Sequence, residues 1–167
     1  MKRSAAGARR GKSNSPLEGL EDRPGFLIRR AHQISQSVFI EECAALDITA
    51  TQFGVLSVLA RAGKLDQIGI ARLLGFDRST TNLVVRLLED RKLVARDRDP
   101  DDARRHVLRL TKAGDELRRR AEPLVDRVRA RLEGVFTSAE RKAFLTLLDK
   151  FTRSFDDTAR VPIKRTK

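Results

Sequence analysis

The side chains best suited to chemistry lie between Asp77 and Leu93, in the stretch DRSTTNLVVRLLEDRKL. If this stretch forms an α-helix, one arc of about 120° is mostly polar and comprises Arg78, Ser79, Asn82, Val85, Arg86 and Glu89. Arg can bind guanine through two hydrogen bonds, Asn can bind adenine, and a small apolar side chain can meet a thymine methyl group. A second arc of about 140° is mostly apolar and comprises Thr80, Leu83, Val84, Leu87, Leu88 and Arg91. The pattern predicts a helix that reads bases in a DNA major groove, with an ordinary amphipathic surface helix as the alternative.

A second group of arginines surrounds a predicted turn. After Leu93 the apolar period changes from 3.6 to 2, which indicates two strands, one beginning near Val94 and one around His106 to Leu110. The turn-forming residues between them predict a hairpin. Its arginines, which would suit a narrow minor groove, are Arg96, Arg98, Arg104 and Arg105. Four acidic residues nearly neutralise the hairpin, so a merely soluble loop is the alternative.

The whole chain is strongly basic. Its 167 residues include 35 Lys and Arg against 23 Asp and Glu, a formal net charge of +12. Residues 1–24 and 156–167 supply only +3 and +2 of this charge, so the basic middle of the chain indicates an anionic partner. With no Trp, no Tyr and eight Phe, stacking platforms for single strands are not expected, and double-stranded DNA is the preferred partner.

Composition argues against several other classes of protein. The one cysteine, Cys43, cannot form an internal disulfide, and its separation from His32 and His106 does not suit a zinc site. We therefore expect no metal and no cofactor. No apolar run approaches the roughly 20 residues that span a bilayer, and no signal sequence is recognised, so a cytoplasmic location is expected. An enzyme is not expected, because no set of nucleophile, base and orienting group is found.

Helical periodicity predicts the elements that position the basic helix. Thr49 and Gln52 form a capping box at one helix start, Gly75 ends a short helix, and Asp77 caps the basic helix that follows. The predicted helices cover about residues 25–45, 49–63, 66–74 and 77–93. The last two, joined by a turn that contains Gly, form a helix-turn-helix, and the hairpin beside them is its wing.

The two ends of the chain differ in character. Residues 1–24 are small, polar and basic and are predicted to be a disordered arm, which either solubilises the chain or follows DNA phosphates. Thr111 begins a long helix that Pro123 should bend. A second capping box begins the last helix, whose apolar stripe comprises Phe144, Leu147, Leu148, Phe151 and Phe155. Residues 156–167 are predicted to be a flexible basic tail.

The hairpin carries the most specific resemblance to a known family. The stretch DPDDARR, residues 99–105, followed by Val107, Leu110, Thr111, Lys112 and Gly114, resembles the wing signature of the MarR family of winged-helix repressors. IARLLG and DRST, residues 70–75 and 77–80, match the helix-turn-helix of that family. In the family, the wing Asp orients an Arg that enters the minor groove, which implies these roles for Asp102 and Arg104. The chain departs at Lys92, where the family usually has Gly and where a left-handed cap would cost more with Lys.

The resemblance implies a mainly α fold, a winged helix-turn-helix with a two-stranded wing and terminal helices that form a dimerisation region. The MarR-type domain would cover residues 25–155, with a DNA-binding lobe at about 49–110 and dimerisation helices at about 25–45 and 111–155. A homodimer would present two recognition helices to a palindromic operator. The residues predicted to contact DNA are Arg78, Ser79, Thr81, Asn82, Arg86, Arg98, Asp102, Arg104 and Arg105.

The resemblance also implies a small-molecule effector. In the family, effectors bind between the dimer helices and the DNA-binding lobe. The stretches PGFLIRRAHQI and FIEECAALDITATQF resemble members that govern aromatic acid catabolism, so the predicted effector is an aromatic acid or its coenzyme A thioester, such as a hydroxycinnamoyl-CoA. Arginines can bind its carboxylate or phosphates. The candidate residues are Arg29, Arg30, His32, Phe39 and Phe53, although both Phe residues also suit the core and His32 the surface.

The sequence therefore predicts a ligand-responsive transcriptional repressor. A ligand-independent architectural DNA-binding protein is the main alternative, because it could use the same helix and wing. A redox sensor is disfavoured, since Cys43 follows Glu41 and Glu42, whereas activated thiols lie near positive charge.

Overall fold

A computed structural model of the chain describes residues 16–99, 105–159 and 161–163. Its α-helices are α1 Pro24–Cys43, α2 Ala50–Ala62, α3 Gln67–Leu74, α4 Arg78–Asp90, α5 Lys112–Glu133 and α6 Ser138–Ser154. Its strands are β1 Lys64–Leu65, β2 Val94–Arg98 and β3 His106–Leu110. Short 3-10 helices, Ala44–Leu46 and Asp156–Thr158, follow α1 and α6. The mainly helical, winged-helix class predicted from the sequence is confirmed.

Polar caps explain where five of the helices begin. In each case a side-chain oxygen of the cap accepts a hydrogen bond from the backbone N–H three residues later, which satisfies an amide that the helix leaves without a partner. The capping residues are Thr49, Asp66, Asp77, Thr111 and Thr137. The two capping boxes predicted from the sequence, at Thr49 and Thr137, are confirmed.

The wing is an antiparallel hairpin of β2 and β3, in which Arg98 lies opposite His106. The sequence predicts two strands, but the sheet has a third. Leu65 of β1 pairs with Leu108 on the other edge of β3, so the strand order is β1-β3-β2. Two residues are too few to show an alternating pattern, which is why β1 is not evident from the sequence.

The core of the lobe lies between α2, α3, α4, α5 and the sheet. Its largest fully buried aliphatic side chains include Leu56, Leu59, Ile70, Leu88 and Leu108. Thr111, which caps the start of α5, lies close to the residues that follow α4. Its Oγ1 donates a hydrogen bond to the Leu93 carbonyl oxygen at 3.0 Å. A Cβ atom on Gly114 would collide with the same carbonyl oxygen. Glycine at this position therefore permits the close approach of α5 to Leu93.

Two compact units are present, one up to Ile34 and one from Ser35 onward, and α1 runs from the first into the second. In the first unit, Arg23 Nε donates to the Gly19 carbonyl oxygen at 2.8 Å. In the second unit, α5 continues through Pro123.

The last helix of the second unit is uncovered. All residues of α6 are exposed, including its apolar stripe. No single helix in the described part of the chain is long and apolar enough to cross a membrane, and the pair Pro24–Leu46 and Ala50–Ala62 meets that condition only when both members are counted together.

Candidate nucleic-acid interface

Both ends of α4 are fixed by hydrogen bonds. At its start, Asp77 Oδ1 accepts the backbone N–H of Thr80 at 2.8 Å, and the carboxylate lies where the helix dipole stabilises negative charge. Just past its end, Arg91 Nη1 donates to the Asp47 carbonyl oxygen at 2.6 Å. Because the helix is held at both ends, the residues on its exposed side have fixed positions.

The buried side of α4 differs from the predicted one. The buried residues are Thr81, Val84, Val85 and Leu88, which have the spacing of one helical face. The sequence correctly predicts that Val84 and Leu88 are buried, but Leu83 and Leu87 are 59% and 41% exposed. The helix is therefore rotated by about a fifth of a turn from the predicted orientation.

Two predicted roles on this helix are wrong as a result. Val85 is 0% exposed, so it cannot meet a thymine methyl group, whereas Leu83 lies on the exposed side. Thr81 is 2% exposed and its Oγ1 donates to the Asp77 carbonyl oxygen at 2.8 Å. That bond satisfies the hydroxyl within its own helix, so Thr81 can be buried at little cost and is not available to DNA.

The exposed side of α4 keeps the polar groups that suit base recognition. Ser79, Asn82 and Arg86 are exposed and follow one another three and four residues apart, so they form a row along the helix. Arg86 Nε lies 3.9 Å from Asp90 Oδ2, and these side chains are 81% and 66% exposed. An ion pair this long and this exposed contributes little stability, so Arg86 can exchange Asp90 for another acceptor at little cost.

The hairpin arginines have separate positions. Arg96 Nε and Nη2 donate to the two carboxylate oxygens of Glu89, both at 2.9 Å, and this hydrogen bonding raises the pKa of Arg96. Arg96 and Glu89 thus fasten β2 to α4, so the sequence prediction that Arg96 lies at the hairpin tip is wrong. Arg98 is exposed at the end of β2. Asp102 and Arg104 lie outside the described residues.

Arg105 joins the hairpin to α3. Its Nη2 donates to Asp66 Oδ2 at 2.7 Å, while Asp66 Oδ1 accepts the backbone N–H of Gly69, also at 2.7 Å. The hydrogen bond from Gly69, and after it the one from Arg105, holds the pKa of Asp66 below its ordinary value. The sequence places Asp66 at the start of a helix but gives no sign of this partner, which is 39 residues away.

Known proteins resemble this chain over the helix-turn-helix and wing and well beyond them. A family model described as the MarR family matches residues 46–105. A putative transcriptional regulatory protein for the hcr operon of Thauera aromatica is 30% identical over 135 residues, which cover 80% of this chain and 81% of that relative. The chain belongs to the MarR family.

Two solved structures of transcriptional regulators extend the similarity to the fold. The transcriptional repressor CouR, bound to a 23-mer DNA duplex, is 31% identical with a TM-score of 0.76, covering 84% of this chain and 99% of CouR. BpsR of Bordetella bronchiseptica, whose DNA binding is regulated by 6-hydroxynicotinic acid, is 30% identical with a TM-score of 0.75, covering 80% of this chain and 95% of BpsR. The wing and helix-turn-helix described above are therefore those of a MarR-family DNA-binding protein.

Lys92 is the position at which this MarR-family chain departs from the expected glycine. Its φ is +57°, in the left-handed region. Its N–H donates to the Glu89 carbonyl oxygen at 2.8 Å, and the N–H of Leu93 donates to the Leu88 carbonyl oxygen at 2.9 Å. These two hydrogen bonds define a Schellman motif that ends α4, with Lys in the position that favours glycine.

Three of the predicted effector residues, Arg29, Arg30 and His32, are exposed on the first half of α1. Arg29 Nη1 donates to Gln33 Oε1 at 3.2 Å, and its guanidinium carbon lies 5.2 Å from the centre of the Phe26 ring. The guanidinium groups of Arg29 and Arg30 are exposed on the helix, and each is chemically suited to binding a carboxylate or phosphate.

The other two predicted effector residues lie in the core of the second unit. Phe39 is 6% exposed, its ring centre lies 6.3 Å from that of Phe53, and Phe53 is partly buried against the same core. These contacts favour the alternative in which both residues simply pack the core. Cys43 is 0% exposed, and burial together with the adjacent Glu42 raises the pKa of its thiol, which suits a structural role. No group of three His, Cys, Asp or Glu side chains within the described ranges could hold a metal ion.

Proposed function

We propose that this MarR-family chain is a repressor that binds a palindromic operator as a homodimer and releases it when a small aromatic acid or its coenzyme A thioester binds. The observation that carries the DNA-binding part is the exposed row of Ser79, Asn82 and Arg86 on α4, a helix held at both ends. In winged-helix proteins of the helix-turn-helix class, this helix lies in the major groove. The similar repressor CouR binds a DNA duplex.

Each residue on the exposed side of α4 has a chemistry that suits one kind of contact. Arg86 can donate two hydrogen bonds to guanine, and Asn82 can exchange two hydrogen bonds with adenine. Leu83, which is 59% exposed, takes the role of the apolar contact to a thymine methyl group. Arg78 and Ser79 lie in the first turn, where side chains of their types bind phosphates or base edges.

The wing contributes minor-groove contacts in this proposal. Arg104 enters the groove and Asp102 orients it, as the MarR resemblance implies, while Arg98 and Arg105 lie at the turn end of the hairpin, where Arg98 is opposite His106. Guanidinium groups are attracted to narrow minor grooves because the negative potential is strongest there. The Asp66–Arg105 ion pair supports this arrangement, since it connects the turn end of the hairpin with the helix-turn-helix.

The uncovered apolar stripe of α6 supports the homodimer. Phe144, Leu148 and Phe151 are 44%, 44% and 43% exposed in the single chain. Monomeric proteins rarely leave large contiguous apolar surfaces in water, and a two-fold contact through the same face of a second copy would bury them. Such a dimer presents two α4 helices to two half-sites.

The effector class rests on the two arginines of α1 and on one similar protein. BpsR, whose DNA binding responds to 6-hydroxynicotinic acid, is similar over 95% of its length. A carboxylate is common to all aromatic acids, and the phosphates of coenzyme A offer further acceptors for Arg29 and Arg30. The ligand lowers DNA affinity if it binds more tightly to a dimer whose recognition helices are spaced incorrectly for the operator. DNA must then lower the affinity for the ligand by the same factor.

The deciding experiment compares operator release by three compounds side by side: an aromatic acid, its coenzyme A thioester and free coenzyme A. An allosteric effector needs the aromatic group, so release by acid or thioester but not by free coenzyme A supports the proposal. Equal release by free coenzyme A would indicate that a polyanion merely competes with DNA for arginines. Absence of release by any of a panel of aromatic acids and thioesters up to millimolar levels would favour the ligand-independent architectural protein.

A further inference from the structure

One arginine side chain connects the end of the recognition helix with the segment between α1 and α2. We call residues 44–48, which follow α1, the α1–α2 junction. Arg91 Nη1 donates to the Asp47 carbonyl oxygen at 2.6 Å, and Arg91 Nη2 donates to the Leu46 carbonyl oxygen at 3.5 Å. Asp47 Oδ2 lies 3.9 Å from Arg91 Nη2 on a side chain that is 98% exposed, so this ion pair adds little. The connection is therefore made chiefly to backbone atoms.

The backbone on both sides of this connection has an uncommon conformation. Within the described residues, Asp47 and Lys92 are the two non-glycine residues with positive φ, at +47° and +57°. Asp47 ends the 3-10 helix of the junction, and Lys92 directly follows Arg91. Residues with side chains hold such a conformation only where the surrounding structure fixes it, and they are often found at functional sites. The Arg91 hydrogen bonds thus join two turns whose backbone is tightly constrained.

The junction is also attached to α5. Just before it, Glu42 accepts hydrogen bonds from Arg127 Nε at 3.0 Å and from Arg131 Nη1 at 2.8 Å. Glu41 accepts a further hydrogen bond from Arg131 Nη2 at 2.9 Å. These bonds hold the last turn of α1 to α5. Because the junction continues directly from this turn, a shift of α1 relative to α5 also moves the junction.

The other end of the connection belongs to α4 itself. The Arg91 N–H donates to the Leu87 carbonyl oxygen at 3.2 Å, so the backbone of Arg91 completes the last turn of the helix. The 13 residues of α4 make it about 20 Å long. A tilt of about 5° at Arg91 would move the first turn, where Ser79 lies, by about 1.7 Å, whereas hydrogen bonds to bases tolerate only about 0.5 Å. The orientation of the exposed row on α4 therefore depends on how Arg91 is held.

We propose that Arg91 is a positioning residue for operator binding, which couples α1 and α5 to the recognition helix. Its hydrogen bonds to the junction set the tilt of α4, and a shift of α1 relative to α5 changes that tilt through the same bonds. This inference rests on the proposed operator binding and deepens it, because it names the contact through which helices outside the helix-turn-helix act on α4. Coupling of this kind is measured by changing both ends of the connection.

The first test changes Arg91 in the full-length protein. Arg91→Met keeps an unbranched side chain but removes every donor, so operator affinity should fall about threefold to tenfold. Affinity for random duplex should fall less than about twofold, because phosphate contacts tolerate a small tilt better than base contacts. Arg91→Lys keeps the charge without the planar fork of donors, so its loss should be intermediate and again confined to the operator. Thermal unfolding of each variant shows whether the fold is retained.

Asp47→Asn is the matched control for this test. It removes the charge beside Arg91 but keeps both backbone acceptors, and Asn also adopts the left-handed conformation readily. Its operator affinity should therefore stay within about twofold of the natural value. A loss equal to that of Arg91→Met would overturn the connection to the backbone. Equal losses of Arg91→Met on operator and random duplex, with a salt slope smaller by about 0.9, would make Arg91 a phosphate contact.

The connection to α5 is tested by a double-mutant cycle on operator DNA. Glu42→Gln removes the charge that holds two arginines of α5, and it should weaken operator binding about twofold to fivefold. Combined with Arg91→Met, it should lose less than the product of the two fold-changes, because both variants release the same connection. Glu122→Gln is the control, since it removes the same charge from a pair with Arg118 within α5. Its fold-change should multiply with that of Arg91→Met.

Three further results would overturn the coupling. Unchanged operator affinity for Arg91→Met would show that Arg91 does not position α4, and unchanged affinity for Glu42→Gln would show that α5 has no part in it. Fold-changes of these two variants that multiply would show that they act independently. If the natural protein bound operator and random duplex equally, the proposed function itself would fail. A natural protein and an Arg91→Met variant that prefer the operator equally would remove this inference alone.

Discussion

The Arg105 Nη2 atom lies 2.7 Å from Asp66 Oδ2, so an arginine at the turn end of the wing is bonded to the residue that caps α3. The same carboxylate therefore bonds both to the start of a helix in the DNA-binding motif and to the turn end of the hairpin beside it. In a winged-helix protein the recognition helix and wing contact neighbouring grooves of one duplex. We expect the Asp66–Arg105 hydrogen bond to set the distance between the wing and the helix-turn-helix at which both can bind one duplex.

The first prediction concerns this bond. Asp66→Asn should keep the cap of α3, because an Asn oxygen also accepts the Gly69 N–H, but it removes the charge that holds Arg105. We expect operator affinity to fall about threefold to tenfold, with less-than-additive losses when Arg105→Ala is combined with it, since the two residues act as a unit. Stability should change by less than about 1 kcal/mol, as is usual for partly exposed pairs.

A matched control is available on the sheet. Arg109 Nε and Asp97 Oδ2 also lie 2.7 Å apart, but this pair joins the two strands of the hairpin to each other. Asp97→Asn should therefore have a smaller effect on operator affinity than Asp66→Asn. Tighter operator binding by Asp66→Asn would contradict the positioning role and show that Asp66 competes with DNA for Arg105.

The second prediction concerns base recognition by α4. Arg86→Ala should cost roughly 1 to 3 kcal/mol of binding free energy on the operator and much less on random duplex, because the bidentate contact to guanine is specific. Titrations with both duplexes measure the difference. Thr81→Val is the control from the buried face: it should lower stability by about 1 kcal/mol but leave the ratio of the two affinities unchanged. Equal losses on both duplexes for Arg86→Ala would make Arg86 a phosphate contact.

The third prediction concerns the wing. If Arg104 enters the minor groove and Asp102 orients it, Asp102→Ala and Arg104→Ala should each weaken operator binding, and the double variant should lose less than the sum. A double-mutant cycle on operator DNA measures the coupling. Fully additive losses would show that the two residues act independently. Arg98→Ala, at the exposed end of β2, should be additive with either change.

The fourth prediction concerns assembly. Phe151→Asp places a charge in the exposed apolar stripe of α6, where the Phe151 and Phe155 ring centres lie 5.1 Å apart. Burial of an unpaired charge opposes association, so sedimentation should show monomers. Lys142→Asp, on the opposite side of the helix, should remain dimeric.

The dimer should protect two half-sites about 34 to 36 Å apart on DNA, and removal of residues 138–167 should abolish dimerisation. A Phe151→Asp protein that stays dimeric would place the interface elsewhere.

Local features of the fold could be predicted from the sequence. The capping boxes and the turn after α3 depend on residues within a few positions of each other, so the pattern alone reveals them. The resemblance to the MarR family added the wing signature and drew attention to Lys92. The chain's family and fold class followed from these two kinds of information.

Features that depend on packing could not be predicted in the same way. Two arcs of α4 share Val84 and Leu88, so the apolar pattern did not decide whether Thr81 and Val85 or Leu83 and Leu87 complete the buried side. Burial of Thr81 became favourable only through the hydrogen bond from its hydroxyl to the Asp77 carbonyl oxygen. The Asp66–Arg105 bond joins residues far apart in sequence, and no short-range pattern reveals such a contact.

The fifth prediction concerns the left-handed end of α4. An L-residue with φ near +57° places its Cβ close to the backbone at a cost of about 1 to 2 kcal/mol, whereas glycine adopts this conformation without that cost. Glycine also gives the unfolded chain more freedom, which offsets part of the gain. Lys92→Gly should therefore raise the free energy of unfolding by about 0.5 to 1 kcal/mol in denaturant titrations.

The same substitution elsewhere provides the control for this prediction. Lys142 is exposed in the interior of α6, where its backbone is helical, so Lys142→Gly should lower the free energy of unfolding by about 1 kcal/mol. Both substitutions remove the same side chain and the same charge. Opposite signs of the change in free energy of unfolding would therefore come from the difference in backbone conformation at the two positions. A destabilising effect at Lys92 equal to that at Lys142 would contradict the Schellman end of α4, and with it the position from which β2 and the wing begin.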